Sequence, residues 1–145
     1  MNWKYEAIDR LKTYELKKNA VQSIPRQIEA LELEMTAIRS TFSDSEQVDS
    51  SGGRSEDAML SNIVKREELG RALELAQKSV QLTEAGLRML DQEEQEVLDR
   101  FYIHPIPGAV MDLCDILGLE QASIYRRRNE ALRKFTLAIY GCVES

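Results

Sequence analysis

Residues 57–90 contain no proline, and apolar side chains recur among them at alternating steps of four and three residues. This spacing places the side chains on one stripe of an α-helix, and a stripe of this length needs a second helix to cover it. The chain has three prolines, seven glycines and almost no alternation of β-branched residues, so an all-α fold is predicted. The stripe comprises Leu69, Leu73, Ala76, Val80, Thr83, Leu87 and Leu90.

A second apolar stripe with the same spacing follows Pro25, where we expect a bend because proline lacks an N–H and restricts the residue before it. A first helix is predicted over residues 3–20, and residues 43–56, rich in Ser, Asp and Gly, predict a mobile loop. Residues 1–90 therefore predict an antiparallel, coiled-coil-like helical hairpin, although pairing of the same stripes between two copies would give a homodimer. The first helix carries Tyr5, Ile8, Leu11 and Leu16, and the second stripe comprises Ile28, Leu31, Met35, Ile38 and Phe42.

Residues 91–145 predict a separate domain of three helices. Asp91 and Glu94 have the spacing of a capping box, in which each side chain accepts a hydrogen bond from the other residue's backbone, so a helix is expected to begin there. Two prolines in residues 104–108 end this helix. A short helix over residues 109–117, a tight turn at Gly118 and a longer helix from about residue 121 to residue 140 then give the order of a helix-turn-helix. The side chains expected to be buried are Val97, Leu98, Phe101 and Tyr102 in the first helix, Val110, Leu113, Cys114 and Leu117 in the second, and Ile124, Ala131, Leu132, Phe135 and Ile139 in the third.

The longer helix has the residue types that read DNA. Arg can donate two hydrogen bonds to guanine, Gln can bond to adenine in the same way, and Ala can contact the methyl group of thymine. Five basic residues and one acidic residue lie between Ile124 and Gly141, although the whole chain has a net charge of −6. The residues predicted to face base edges are Gln121, Ala122, Tyr125, Arg126 and Asn129, and those predicted to hold backbone phosphates are Arg127, Arg128, Arg133 and Lys134.

Two segments of this domain resemble the fourth region of bacterial sigma factors, the region that reads promoters. They are LDQEEQEVLDRFY at residues 90–102 and ILGLEQASIYRRRNEALRKF at residues 116–135. Together with YEAIDRLKTYELKKNAVQSI at residues 5–24, they make the chain similar to the ArpU/RinA-like group of small regulators from phages and prophages of Gram-positive bacteria. The resemblance implies a sigma-region-four-like helix-turn-helix, double-stranded DNA at a promoter or operator as the partner, and control of phage transcription. The helices of residues 1–90, with their acidic faces, leave RNA polymerase open as a further partner.

The chain departs from the sigma-factor pattern at two positions. Arg127 stands where sigma factors usually have an apolar residue, and Glu120 stands where they usually have a Ser, Thr or Asp helix cap. Nothing in the chain resembles the regions that melt the promoter start, so an accessory regulator is expected. Two alternatives remain open: a coiled-coil protein that binds RNA polymerase or a sigma factor, and a phage DNA-packaging recognition subunit that forms a ring-like oligomer.

Several other classes of protein are not expected. The chain has a single histidine, His104, its two cysteines lack metal-ligand spacing, and it has no glycine-rich phosphate loop or spacing of a catalytic triad, so no enzyme, metal or cofactor is predicted. Glu93 and Glu94 lie at a helix start, where acidic residues favour the helix dipole and capping. No run approaches the ~18 apolar residues of a membrane span. The N-terminus also lacks the apolar run of a signal peptide, so a cytoplasmic protein is expected.

Overall fold

The computed structural model describes residues 2–43 and 52–143, and these residues form six α-helices and no strands. The predicted all-α class is therefore confirmed. A π-helical segment, Asp99–Ile103, continues the fourth helix, and the backbone N–H of His104 donates to Asp99 O at 2.7 Å across it. The helices are α1 (Trp3–Lys12), α2 (Tyr14–Ser43), α3 (Gly52–Arg88), α4 (Gln92–Leu98), α5 (Ala109–Leu117) and α6 (Gln121–Tyr140).

Pro25, where the sequence predicted a bend, lies inside α2, so the proline does not end the helix there. Ile24 is buried and Ile28 is half-buried on either side of it, so the packing of these side chains outweighs the hydrogen bond that proline cannot donate. The first helix is instead interrupted at Thr13. The Thr13 hydroxyl donates to Asp9 O at 2.9 Å, and a side chain that bonds the preceding turn in this way often bends a helix.

This interruption also changes the predicted apolar stripe of the first helix. Leu11 is buried and Ile8 is half-buried, as expected, but Tyr5 and Leu16 are exposed. Ala7, which lies one helical turn before Leu11, is the second buried residue of α1. Leu16 falls after the interruption at Thr13, so it is not in register with the buried face of α1.

The predicted loop over residues 43–56 is wrong at its C-terminal end. Residues 52–56 form the first turns of α3, and Ser55 is buried there. The two glycines at 52 and 53 are tolerated because the first turn of a helix makes few backbone hydrogen bonds of its own. Residues 44–51, the rest of the predicted loop, lie outside the described residues, and so does the side chain of Phe42.

The described residues fall into two compact units, divided between residues 17 and 18 and between residues 77 and 78. The predicted domain boundary between residues 90 and 91 lies inside the first unit, which contains both chain ends. In the second unit, Asn62 donates from its amide to Leu31 O at 2.7 Å, and Arg66 donates to Asn62 Oδ1 at 2.8 Å. Its buried residues are Ile24, Met35, Ser55, Asn62 and Ala76.

The first unit has two apolar clusters, and α6 contributes to both. The larger cluster joins α1 to α6, since Ala7 and Leu11 are buried with Phe135. The smaller cluster joins α5 to α6 around Leu113 and Ile124. The larger cluster comprises Ala7, Leu11, Leu90, Leu98, Ala131, Leu132 and Phe135, and the smaller one comprises Val97, Leu113 and Ile124 with Phe101, Val110, Cys114, Leu117 and Leu119 against them.

Gly86 in α3 lies at a close approach to α6. A Cβ atom at this position would lie 2.8 Å from Ile139 Cγ1 and 2.9 Å from Phe135 Cε2, which is shorter than van der Waals contact. Phe135 is 0% exposed and cannot move aside without disturbing the core. Gly70, in the same helix, has open space where its Cβ atom would be.

We expect Gly86→Ala to lower the free energy of unfolding by up to about 2 kcal/mol, because overpacking costs about 1–3 kcal/mol and helix propensity returns only about 1 kcal/mol. The matched control, Gly70→Ala, should raise it by about 0.5–1 kcal/mol. Urea unfolding followed by circular dichroism measures both changes. Stabilisation by Gly86→Ala comparable to that by Gly70→Ala would contradict the close approach.

His104 lies between two acidic residues of the first unit. Its Nδ1 lies 2.7 Å from Asp99 Oδ1 and its Nε2 lies 3.2 Å from Glu15 Oε1. The hydrogen bond to Asp99 raises the pKa of His104 above its ordinary value, and the charges of Asp99 and Glu15 act in the same direction, while partial desolvation opposes them. The protonated imidazole is therefore favoured in the folded state.

Because the folded-state pKa of His104 is raised, its stabilising effect is present below the unfolded pKa and is lost as the pH rises through the folded pKa. We expect the difference in unfolding free energy between the wild type and His104→Gln to be larger at about pH 5.5 than at about pH 8.5. Denaturant titrations at the two pH values measure it. In the Asp99→Asn background this pH dependence should be smaller. A difference in unfolding free energy between the wild type and His104→Gln that grows with pH would rule the interaction out.

Candidate nucleic-acid interface

The turn between α5 and α6 is built on Gly118. Its φ of +66° lies in the left-handed region that favours glycine, and the backbone N–H groups of Gly118 and Leu119 both donate to Cys114 O, at 2.9 and 3.2 Å. Leu119 packs against the smaller cluster, where Ile124 of α6 is fully buried. Glu120 is the N-cap of α6, and its side chain makes no capping hydrogen bond. The two helices thus occupy the ranges that the sequence predicted, and their relative position is fixed by apolar packing.

The side chains predicted to face base edges form a solvent-exposed row on the first half of α6. Tyr125, the largest of them, is 41% exposed. Gln121 donates to Met111 Sδ at 3.3 Å, and Arg126 donates to Ser123 Oγ at 3.3 Å, so both are held only by weak polar contacts. The row could therefore meet a ligand without prior rearrangement of the core. Its members are Gln121, Ala122, Tyr125, Arg126 and Asn129.

Arg128, predicted to hold phosphate, stacks on aromatic rings. It is half-buried, and its guanidinium carbon lies 5.1 Å from the ring centres of both Phe101 and Tyr125. Such cation–π contacts contribute about 0.5–1 kcal/mol at exposed sites. Burial raises the pKa of the neighbouring Tyr102 above its ordinary value, and the charge of Arg128 opposes this shift. Because its guanidinium stacks on the ring of Tyr125, Arg128 orients that ring in the exposed row.

Two of the predicted phosphate ligands are paired with acidic residues of α4. Arg127 forms an ion pair with Glu93, and Lys134 Nζ lies 2.9 Å from Glu94 Oε2. The hydrogen bond to Glu94 raises the pKa of Lys134 above its ordinary value. Glu94 also completes the predicted capping box, since the backbone N–H of Glu94 donates to Asp91 Oδ1 at 2.8 Å and that of Asp91 donates to Glu94 Oε1 at 3.1 Å.

These two pairs are a feature that sequence reasoning missed. Glu93 and Glu94 were expected to interact only with the N-terminal turn of their own helix. No sequence pattern indicates that α4 lies against the basic face of α6, the face that carries Arg127 and Lys134. Arg133, the fourth predicted phosphate ligand, is exposed and lies 3.8 Å from Glu130 of its own helix. Arg128 also lacks an ion pair with another described residue but is half-buried, so the exposed cations of α6 with the least ionic compensation are Arg126 and Arg133.

Residues 2–43 and 52–143 hold no group of three His, Cys, Asp or Glu side chains arranged to bind a metal ion. Within the same ranges, no helix combines the length and the apolar character required to cross a membrane. Cys114 and Cys142 are both free thiols, and Cys114 packs against the smaller cluster.

Comparison of the chain with protein-family models, with curated proteins and with solved structures gives no match in any of the three.

The ion pair between Glu93 and Arg127 predicts an effect on affinity for duplex DNA, the partner expected from the sequence. Glu93→Gln frees Arg127 and removes one negative charge, so we expect affinity to rise up to about fivefold, the equivalent of one exposed ion pair. Glu96→Gln is the matched control, because Glu96 lies on the same helix and pairs with Arg100 at 2.6 Å. Fluorescence anisotropy measures both variants. An equal gain from both would mean that only net charge matters.

Proposed function

We propose that the protein is a phage-type transcriptional regulator that binds double-stranded DNA through a sigma-region-four-like helix-turn-helix formed by α5, Gly118 and α6. The observation that carries the proposal is the exposed row on α6, which includes Gln121 and Arg126 and follows a rigid glycine turn. In helix-turn-helix proteins the second helix lies in the major groove and its N-terminal residues contact base edges. The resemblance of residues 90–102 and 116–135 to sigma region four agrees with this placement.

The side chains of the row suit the edges of base pairs. The Arg126 guanidinium and the Gln121 amide can each make two hydrogen bonds in the major groove, to guanine and to adenine respectively. Ala122 can contact a thymine methyl group. The ring of Tyr125 is oriented by its stack on Arg128. Arg133, about two turns beyond Arg126 on α6, is available for a backbone phosphate.

The acidic net charge of the chain does not oppose this proposal, because the acidic residues are unevenly distributed. Between residues 124 and 141 only Glu130 is acidic. Glu93 and Glu94 nevertheless lie beside the basic face and neutralise Arg127 and Lys134. A protein with so few uncompensated cations should depend strongly on base contacts, since phosphate contacts supply most of the sequence-independent affinity.

The second unit supports a separate role in protein association. The contact between Asn62 and Leu31, together with the buried Ile24 and Met35, is consistent with a coiled-coil-like hairpin of α2 and α3. Large apolar side chains nevertheless remain on its surface: Leu33 is 67% exposed, Leu60 61% and Leu75 69%. These side chains are available for contact with a second copy or with RNA polymerase, the two partners left open by the sequence. A coiled-coil interaction protein without its own DNA affinity is therefore the second candidate function.

Two variants test the division of roles on α6. Arg126→Ala should lose preference for a duplex selected from random DNA over a mixed-sequence duplex, because a bidentate base contact discriminates by about 1–3 kcal/mol. Arg133→Ala should weaken binding to both duplexes alike and reduce the slope of log K against log salt by about 0.9. Titrations over a range of salt concentrations measure both quantities.

Equal effects of the two variants on both duplexes would contradict these roles. If the wild type binds neither duplex at any salt concentration, the interaction-protein function is favoured instead. Light scattering then separates the remaining alternatives, since a ring of many copies would favour a DNA-packaging subunit over a monomeric or dimeric regulator.

A further inference from the structure

Two parts of the chain that are far apart in sequence line one groove of the first unit. The groove has a volume of about 820 Å³ and lies between the start of α1 and the outer face of α6. The N-terminal side contributes Asn2 and Lys4, and α6 contributes Arg126, Asn129, Glu130 and Arg133. The groove therefore begins at the exposed row and extends away from it toward Asn2 and Val143.

The N-terminal side of the groove is held in place by packing. The rings of Trp3 and Tyr140 lie 4.8 Å apart, and Arg10 Nε donates to the Tyr140 hydroxyl at 3.2 Å. Ala7 and Leu11 are fully buried in the larger cluster. The backbone N–H of Lys4 donates to Asn2 Oδ1 at 3.0 Å, which caps the helix. Lys4 thus lies on a helix that packs directly against α6.

The electrostatics of the groove favour an anion. Three cations, Lys4, Arg126 and Arg133, line it with one acid, Glu130. Glu130 lies 3.8 Å from Arg133, at the limit of an ion pair, and Lys4 forms no ion pair with another described residue. Cations brought together without matching acids repel one another, and an anion placed between them removes that repulsion. The two asparagine amides add uncharged hydrogen-bond donors.

We propose that this groove binds a phosphodiester of the DNA backbone through Lys4 and Arg133, so that α1 is part of the DNA interface. The inference rests on the proposed function, because it takes the exposed row of α6 to lie in the major groove. A helix placed there has a sugar-phosphate strand along each flank, and the cationic groove adjoins one flank of the row. The contact is to phosphate and independent of base sequence, so it positions α6 without selecting the site.

The test uses the full chain with Lys4→Gln, and Lys12→Gln as the matched control. Lys12 is an exposed lysine at the opposite end of α1 and does not line the groove. Lys4→Gln should weaken binding to the selected duplex and to a mixed-sequence duplex alike, by roughly five- to tenfold, and should reduce the salt slope by about 0.9. Lys12→Gln should leave affinity and slope close to wild type.

A second measurement needs no variant. Acetylation of lysines in the wild-type protein, followed by mass spectrometry, should show that DNA protects Lys4 and leaves Lys12 reactive. If the wild type binds DNA but the two substitutions have equal effects, the groove proposal is overturned while the role of the exposed row stands. Equal acetylation of the two lysines in the complex would have the same consequence. Absence of salt-dependent DNA binding by the wild type would overturn both proposals.

Discussion

The burial of one face of α6 is the interaction on which the first unit depends. Phe135 and Leu132 lie in the larger cluster with Ala7 and Leu11, and Ile124 lies in the smaller cluster with Leu113. Burial of each such side chain contributes about 1.5–3 kcal/mol. A single helix thus fixes the position of α1, the end of α3, α4 and α5, and its opposite face is left to carry the polar and basic residues. The core and the candidate interface are two faces of the same twenty residues.

The two faces are not independent. Arg128 belongs to the boundary between them, since its guanidinium lies against Phe101 on the core side and Tyr125 on the exposed side. Arg127 and Lys134 reach across to α4 and supplement apolar packing with ion pairs. Exposed pairs of this kind contribute about 0–1 kcal/mol each, so their main effect is on orientation rather than on stability. The basic segment that looks uniform in sequence therefore divides into residues that position the helix and residues that face outward.

Much of the first unit could be predicted because its signals are local. A capping box at Asp91, two prolines after Ile103 and a glycine at 118 each act within a few residues, and α5 and α6 have the predicted bounds. The continuation of α2 through Pro25 could not be predicted from a local rule, because it depends on the packing of Ile24 within the second unit. Lys4 could not be placed beside Arg133 because no local pattern relates residues so far apart in sequence. The ion pair of Glu93 with Arg127 depends on tertiary contact in the same way.

The pairing of Arg127 with Glu93 also bears on how salt would act on a complex with DNA. A free surface cation is accompanied by solvent ions only loosely, and its contact with phosphate releases a counterion from the nucleic acid. An arginine that already holds a carboxylate exchanges one anion for another, and the displaced carboxylate then attracts a cation from the solvent. The number of phosphate contacts inferred from the salt dependence of the binding constant would accordingly be smaller than the number of arginines that contact the duplex.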